Sequence, residues 1–115
     1  YTTNCVVYTG THDNDTTRHW LETLSHEERS FVDEYMNFRG GSVEDHVWAL
    51  IKLAMGSVAD LCVIPMQDYL CLGEEARLNQ PSTFGTNWKW RLVPGQYNDQ
   101  LAQRMHRMTK IYGRV

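Results

Sequence analysis

The sequence predicts an α/β chain that forms the C-terminal part of a (β/α)8 TIM barrel, helix-rich, with about two strands and their flanking helices. Three observations lead there. Only two short apolar runs read as strands, Cys5-Val6-Val7-Tyr8 and Leu61-Cys62-Val63-Ile64, while four stretches carry helical periodicity. Each strand-like run opens on its C-terminal side into polar residues, which is where parallel barrels collect their catalytic side chains. Two strands cannot form a sheet that buries four helices; a self-sufficient α/β domain of 115 residues would show roughly four or five strands. A whole barrel needs about 250 residues. The chain also begins at Tyr1, in mid-strand and without Met, which fits a piece of something longer.

The elements follow in order. Asn4 to Thr9 is a strand by its β-branched and aromatic content. Thr16 to Leu24 is a short helix with Trp20, Leu21 and Leu24 on one face. Ser25-His26-Glu27-Glu28 has capping-box form and opens a helix to about Phe38, with Phe31, Val32, Tyr35 and Phe38 at helical spacing and Arg39-Gly40-Gly41 as its stop. Ser42-Val43-Glu44-Asp45 starts a third helix to about Met55, burying Val43, Val47, Leu50, Ile51 and Ala54, with Trp48 and Leu53 widening the stripe. Ala59 to Pro65 is a second buried strand stopped by its proline, so strand, helices and strand form a crossover with parallel pairing. From Met66 to Gln96 no period survives, and a long irregular loop is expected. Asp99 to Tyr112 is the last helix, with Leu101, Met105, Met108 and Ile111 on one face and Gly113 as its stop.

Composition narrows the function. A net charge of −3 leaves no basic footprint for nucleic acid or an anionic membrane. No apolar run approaches the ~18 residues of a membrane span, and there is no signal-peptide pattern. The cysteines, Cys5, Cys62 and Cys71, lack CxxC spacing and read as reduced structural thiols of a cytoplasmic protein.

The most informative stretch is Tyr8-Thr-Gly-Thr-His-Asp-Asn-Asp-Thr16. His12 beside Asp13 pairs an imidazole with a carboxylate, able to grip hydroxyls or stabilise positive charge; Asp13, Asn14 and Asp15 are equally the residues that turn a chain after a strand. A metal site would need further ligands at suitable spacing, and His19, His26, His46 and His106 do not gather, so no metal or cofactor is expected. Trp88-Lys89-Trp90 puts two indoles on one side of an extended segment, for stacking on sugars or, the favoured reading, for packing. Arg104, Arg107, Lys110 and Arg114 read as a solvated basic face on the last helix.

The Tyr8–Thr16 stretch resembles the strand-7 motif of the 4-α-glucanotransferases, glycoside hydrolase family 77 (amylomaltase or disproportionating enzyme). The resemblance continues through Gly56-Ser-Val-Ala-Asp60, Ile64-Pro-Met-Gln-Asp68, Glu75-Ala-Arg-Leu-Asn79, Pro81 and Asn87-Trp-Lys-Trp-Arg91, and ends at Tyr112-Gly-Arg114. It covers essentially the whole chain in collinear order, and makes residues 1–115 the C-terminal segment of one catalytic barrel with no separate second domain.

The resemblance implies transfer of α-1,4-glucan segments to a sugar 4-hydroxyl with retention, which requires a nucleophilic carboxylate and a second carboxyl group as acid and then base. Asp13 matches the family's third carboxylate, the transition-state stabiliser, and His12 the neighbouring histidine that binds sugar hydroxyls. The loop from Arg77 to Asn87 resembles the segment that borders the acceptor side of the cleft, where Asn79 is the residue expected to contact glucan, and Asn14, Gln67 and Asp68 are expected as supports behind the binding residues. The nucleophilic aspartate and acid/base glutamate lie upstream of Tyr1; Glu22, Glu27, Glu28, Glu34 and Glu44, all on helices, do not replace them. The expected partners are α-1,4-glucans, maltooligosaccharides and the upstream remainder of the barrel. The segment alone is expected to be inactive and could self-associate. The rival readings are an α-glucan hydrolase on the same barrel and a non-catalytic glucan-binding fragment.

Overall fold

β1 (Val6–Tyr8) and β2 (Leu61–Val63) pair in parallel, with Val6 opposite Leu61, Val7 opposite Cys62 and Tyr8 opposite Val63, in a computed structural model that describes residues 5–10, 14–38, 41–79 and 87–114. Between the strands run three helices, α1 (Thr17–Thr23), α2 (His26–Met36) and α3 (Val43–Met55). After β2 come a single helical turn, α4 (Met66–Tyr69), a 3-10 turn at Glu74–Ala76, and α5 (Asp99–Ile111). The parallel crossover is as expected; both strands are shorter than the sequence suggests.

The helix starts are built locally. Thr16 Oγ1 accepts the His19 amide at the head of α1. Ser25 and Glu28 form a reciprocal capping box on α2, and Ser42 and Asp45 form one on α3. Gly41 enters α3 at φ +77°, and a Cβ there would come within 2.8 Å of the capping Asp45 Oδ2, so a larger residue would be strained and would push the capping carboxylate aside. Asn98 Oδ1 caps α5 through the Leu101 amide at 2.9 Å. At its other end Gly113, with φ +69°, lets its own amide bond Lys110 O and the Arg114 amide bond Thr109 O, a Schellman stop.

Three expectations change. α2 ends at Met36 rather than Phe38, because Asn37 adopts the left-handed conformation and turns its amide to Glu34 O and that of Phe38 to Asp33 O. The apolar stripe of α2 is only partly buried: Val32 packs against the core, while Phe31 and Tyr35 are about 70% exposed. Met66 to Gln96 is not wholly irregular, since Pro65 starts α4 directly after β2.

The core gathers around α3. Val47, Trp48, Ile51 and Met55 pack with Leu21 of α1, Tyr69 of α4, Cys71 and Met108 of α5. Leu53, expected to widen this stripe, faces out, as does Trp20 on α1. Trp48 meets Tyr69 with ring centroids 5.6 Å apart, and the Arg104 guanidinium lies 3.7 Å over the Trp48 ring. Arg114 donates from Nε to Met55 O and from Nη2 to Ser57 O and Ala59 O, closing the C-terminal end of α3. Arg104, Arg107 and Lys110 are exposed as expected, Arg104 while stacking on Trp48, whereas Arg114 is half-buried as a cap. Trp88 is half exposed at φ +65°, which breaks the extended run expected for Trp88-Lys89-Trp90; Trp90 is half-buried. No described helix is long and apolar enough to cross a membrane.

Candidate functional site

Both strands point their C-terminal ends at the same small cleft, of about 180 Å³. Tyr8, Gly10, Asn14, Asp15 and Thr16 line it from the β1 side, and Val63, Pro65, Gln67, Asp68, Ala76, Arg77 and Leu78 from the β2 side. Its polar groups converge because a parallel pair releases both of its following loops at one end. A larger hollow of about 690 Å³ flanks β1 and runs past Trp20, Tyr35, Leu50 and Leu53. It is mostly apolar and meets the polar cluster only at its edge, so the cleft at the strand ends is the candidate site.

Asp68 accepts three hydrogen bonds there. It is 2% exposed, and its Oδ2 accepts from Thr9 Oγ1 at 2.6 Å and Thr17 Oγ1 at 2.7 Å. Its Oδ1 accepts from the Thr17 amide at 2.9 Å, the first amide of α1, where the helix dipole favours a negative charge. Gln67, also buried, donates from Nε2 to Ala76 O at 3.3 Å and holds the following loop under the cleft.

A second polar group forms along the rim. Asp15 Oδ1 accepts the Thr16 amide at 2.8 Å, and Asp15 Oδ2 pairs with His19 Nδ1. His19 Nε2 lies 3.6 Å from Glu74 Oε2. The hydrogen bond to Asp15 raises the pKa of His19 above the ordinary imidazole value; desolvation opposes it, and the negative charges of Asp15, Glu74 and Glu22 add to it. Arg77 donates from Nε to Asn79 O at 3.0 Å, which folds the chain back just past the cleft.

Of the residues singled out in the sequence, Asn14, Gln67 and Asp68 come together on this cleft. Asn79 is half-buried and lies one position beyond the lining residue Leu78. His12 and Asp13, like Pro81, lie outside the described residues. Thr9, Thr17 and the Asp15–His19–Glu74 group were not anticipated. The spacing of Asp15 and His19, four apart at a helix start, was the available signal; the Asp68 bonds span 51 and 59 positions and leave no trace in local sequence. Among the described residues no group of three or more His, Cys, Asp or Glu could hold a metal ion. None of the three cysteines is in a disulfide, and burial pushes the thiol of Cys71 up to about 11, which makes it a core filler rather than a nucleophile.

Residues 1–96 match the family model described as 4-alpha-glucanotransferase, glycoside hydrolase family 77. The chain belongs to this family. It is 47% identical over 115 residues to the 4-alpha-glucanotransferase of Clostridium butyricum, covering 99% of this chain and 23% of that protein. The 4-alpha-glucanotransferase of Thermus thermophilus is 44% identical over 113 residues, covering 96% of this chain and 23% of the relative. Among solved structures, an amylomaltase from Streptococcus agalactiae in complex with acarbose superposes with a TM-score of 0.89 at 29% identity, over 99% of this chain and 23% of that one. The chain thus spans about a fifth of the length of the 4-alpha-glucanotransferases it matches.

Proposed function

We propose that this chain is the C-terminal part of the catalytic (β/α)8 barrel of a cytoplasmic 4-α-glucanotransferase, which moves α-1,4-glucan segments between maltooligosaccharides or longer α-glucans. The observation that carries this reading is the family match over residues 1–96, whose strand-end motifs converge on one polar cleft at the C-terminal ends of two parallel strands. That is the end at which barrel enzymes work.

In the proposed mechanism an aspartate and a glutamate outside these 115 residues serve as nucleophile and acid/base. Attack at the anomeric carbon breaks the glucosidic bond as the acid protonates the leaving oxygen; the incoming 4-hydroxyl then displaces the enzyme carboxylate, with its proton passing to the same group. Asp13 binds hydroxyls beside the anomeric centre and stabilises the positive charge that develops on the ring. His12 binds hydroxyls of the same sugar, and Asn79 contacts glucan on the acceptor side. Consistent with this division of labour, Glu22, Glu27, Glu28, Glu34 and Glu44 all lie on exposed helix surface, away from the cleft lining.

The test uses the complete enzyme with maltotriose as sole substrate and products resolved by length. A ladder of longer glucans plus glucose supports transfer; a net gain of reducing ends without longer products overturns it in favour of hydrolysis. Asp13→Asn lowers turnover by at least about a hundred-fold while leaving the thermal transition in place. Near-normal turnover in that variant removes Asp13 from the mechanism.

A further inference from the structure

We infer that Asp68 is a positioning residue for the reaction, clamping both ends of the loop that carries His12 and Asp13; this deepens the proposed function and rests on it. Thr9 leaves β1 and Thr17 begins α1, and the seven residues between them, 10–16, include the His12-Asp13 pair. Both threonines bond to one carboxylate, which belongs to neither of their elements: Asp68 sits on α4, the turn that follows β2. The loop's two ends are therefore fixed to each other and to the neighbouring strand's end through a single group.

The chemistry of the clamp is demanding. A buried carboxylate only accepts hydrogen bonds and is tolerated away from water when donors surround it. Here three donors do so, two of them short hydroxyl contacts of the charge-assisted kind, with Thr17 itself only 6% exposed. An amide at this position satisfies the set only by reversing the two hydroxyl bonds, so that Nδ2–H donates to each Oγ1, which turns both threonine hydroxyls around and replaces charge-assisted bonds with weaker neutral ones. The loop ends then separate or rotate, and a catalytic carboxylate displaced by about an ångström loses much of its rate advantage.

The experiment is a kinetic cycle in the complete enzyme with maltotriose. Asp68→Asn is expected to lower kcat by about ten-fold or more with KM changed less than about two-fold, in protein still folded at the assay temperature. In an Asp13→Asn background the same change is expected to cost less than about two-fold, because the clamp acts through the loop it holds. A residue that only stabilised the fold would shift the melting temperature and leave kcat per folded molecule unchanged. That result overturns the inference, and so does an equal loss in both backgrounds. If Asp68→Asn does not fold, Thr17→Val and Thr9→Val, which each remove one hydroxyl and keep the carboxylate, decide by the same kcat criterion. Unimpaired turnover in Asp13→Asn alone overturns the catalytic reading and this inference with it. An active enzyme that depends on Asp13 but not on Asp68 overturns the inference only.

Discussion

His19 lies between two carboxylates supplied by different loops, Asp15 ahead of α1 and Glu74 in the 3-10 turn after β2. Its folded pKa is raised, first by the hydrogen bond to Asp15 and further by the charges of Asp15, Glu74 and Glu22. A histidine raised on folding stabilises the protein fully below its unfolded pKa of about 6.5, and loses that contribution as pH climbs through the higher folded value. His19→Gln is therefore expected to lower the melting temperature most at about pH 5.5 and least at about pH 8.5. The side chain is 29% exposed, so solvent screening holds the effect to about 1 kcal/mol or less. Melting curves of both proteins across this range check it; a gap that widens toward high pH refutes the pairing. The Asp15–His19 pair was not read from the sequence, although a spacing of four at a helix start was a signal for it. Asp68 could be read as a support past a strand end, but which donors it would meet depended on how two distant loops closed.

At the level of elements, local signals carried over well and long-range ones did not. The serine boxes at Ser25 and Ser42 and the glycine stop at Gly113 are decided within a few residues, and all three form. The basic face of α5 looked solvated because nothing in its own sequence shows Trp48 or the end of α3 beside it. Arg114 instead caps the carbonyl of Met55, at the end of α3 where the helix dipole leaves negative charge, and those of Ser57 and Ala59 just beyond it. Arg114→Ala is expected to cost about 2–3 kcal/mol, since hydrogen bonds from a charged donor are strong and three acceptors lose it. Arg114→Lys should recover less than half, because one ammonium cannot replace the planar fork. Urea unfolding midpoints measure both, and a lysine variant as stable as wild type would show that charge alone suffices. The stripe of α2 teaches the converse: Phe31, Val32, Tyr35 and Phe38 have helical spacing, yet periodicity names a face without naming what covers it.

For the molecule as a whole, the barrel reading depends on what the described residues leave uncovered. Val6, Tyr8, Leu61 and Val63 project from one face of the two-stranded sheet and are each 38–54% exposed, and the exposed Tyr35 of α2 lines the same hollow as Val6 and Tyr8. The two residues between them, Val7 and Cys62, are half-buried toward the opposite face. Two strands alone make a marginal sheet, and apolar side chains ranked along one face are the kind of surface that proteins cover. The expectation of too few strands for so many helices came from counting elements in the sequence, and the uncovered sheet face is its structural counterpart. In the proposed barrel that face turns inward and the remaining strands pack over it. Residues 1–115 produced alone are accordingly expected to elute as oligomers, to bind a hydrophobic dye, and to form no longer glucans from maltotriose. The complete enzyme is expected to do none of the first two and to form the ladder. A monomeric, dye-silent segment would mean that these 115 residues cover their own apolar face, and the barrel reading would fail. A segment that extends maltotriose, with the extension lost in Asp13→Asn, would place the nucleophile and the acid within this chain.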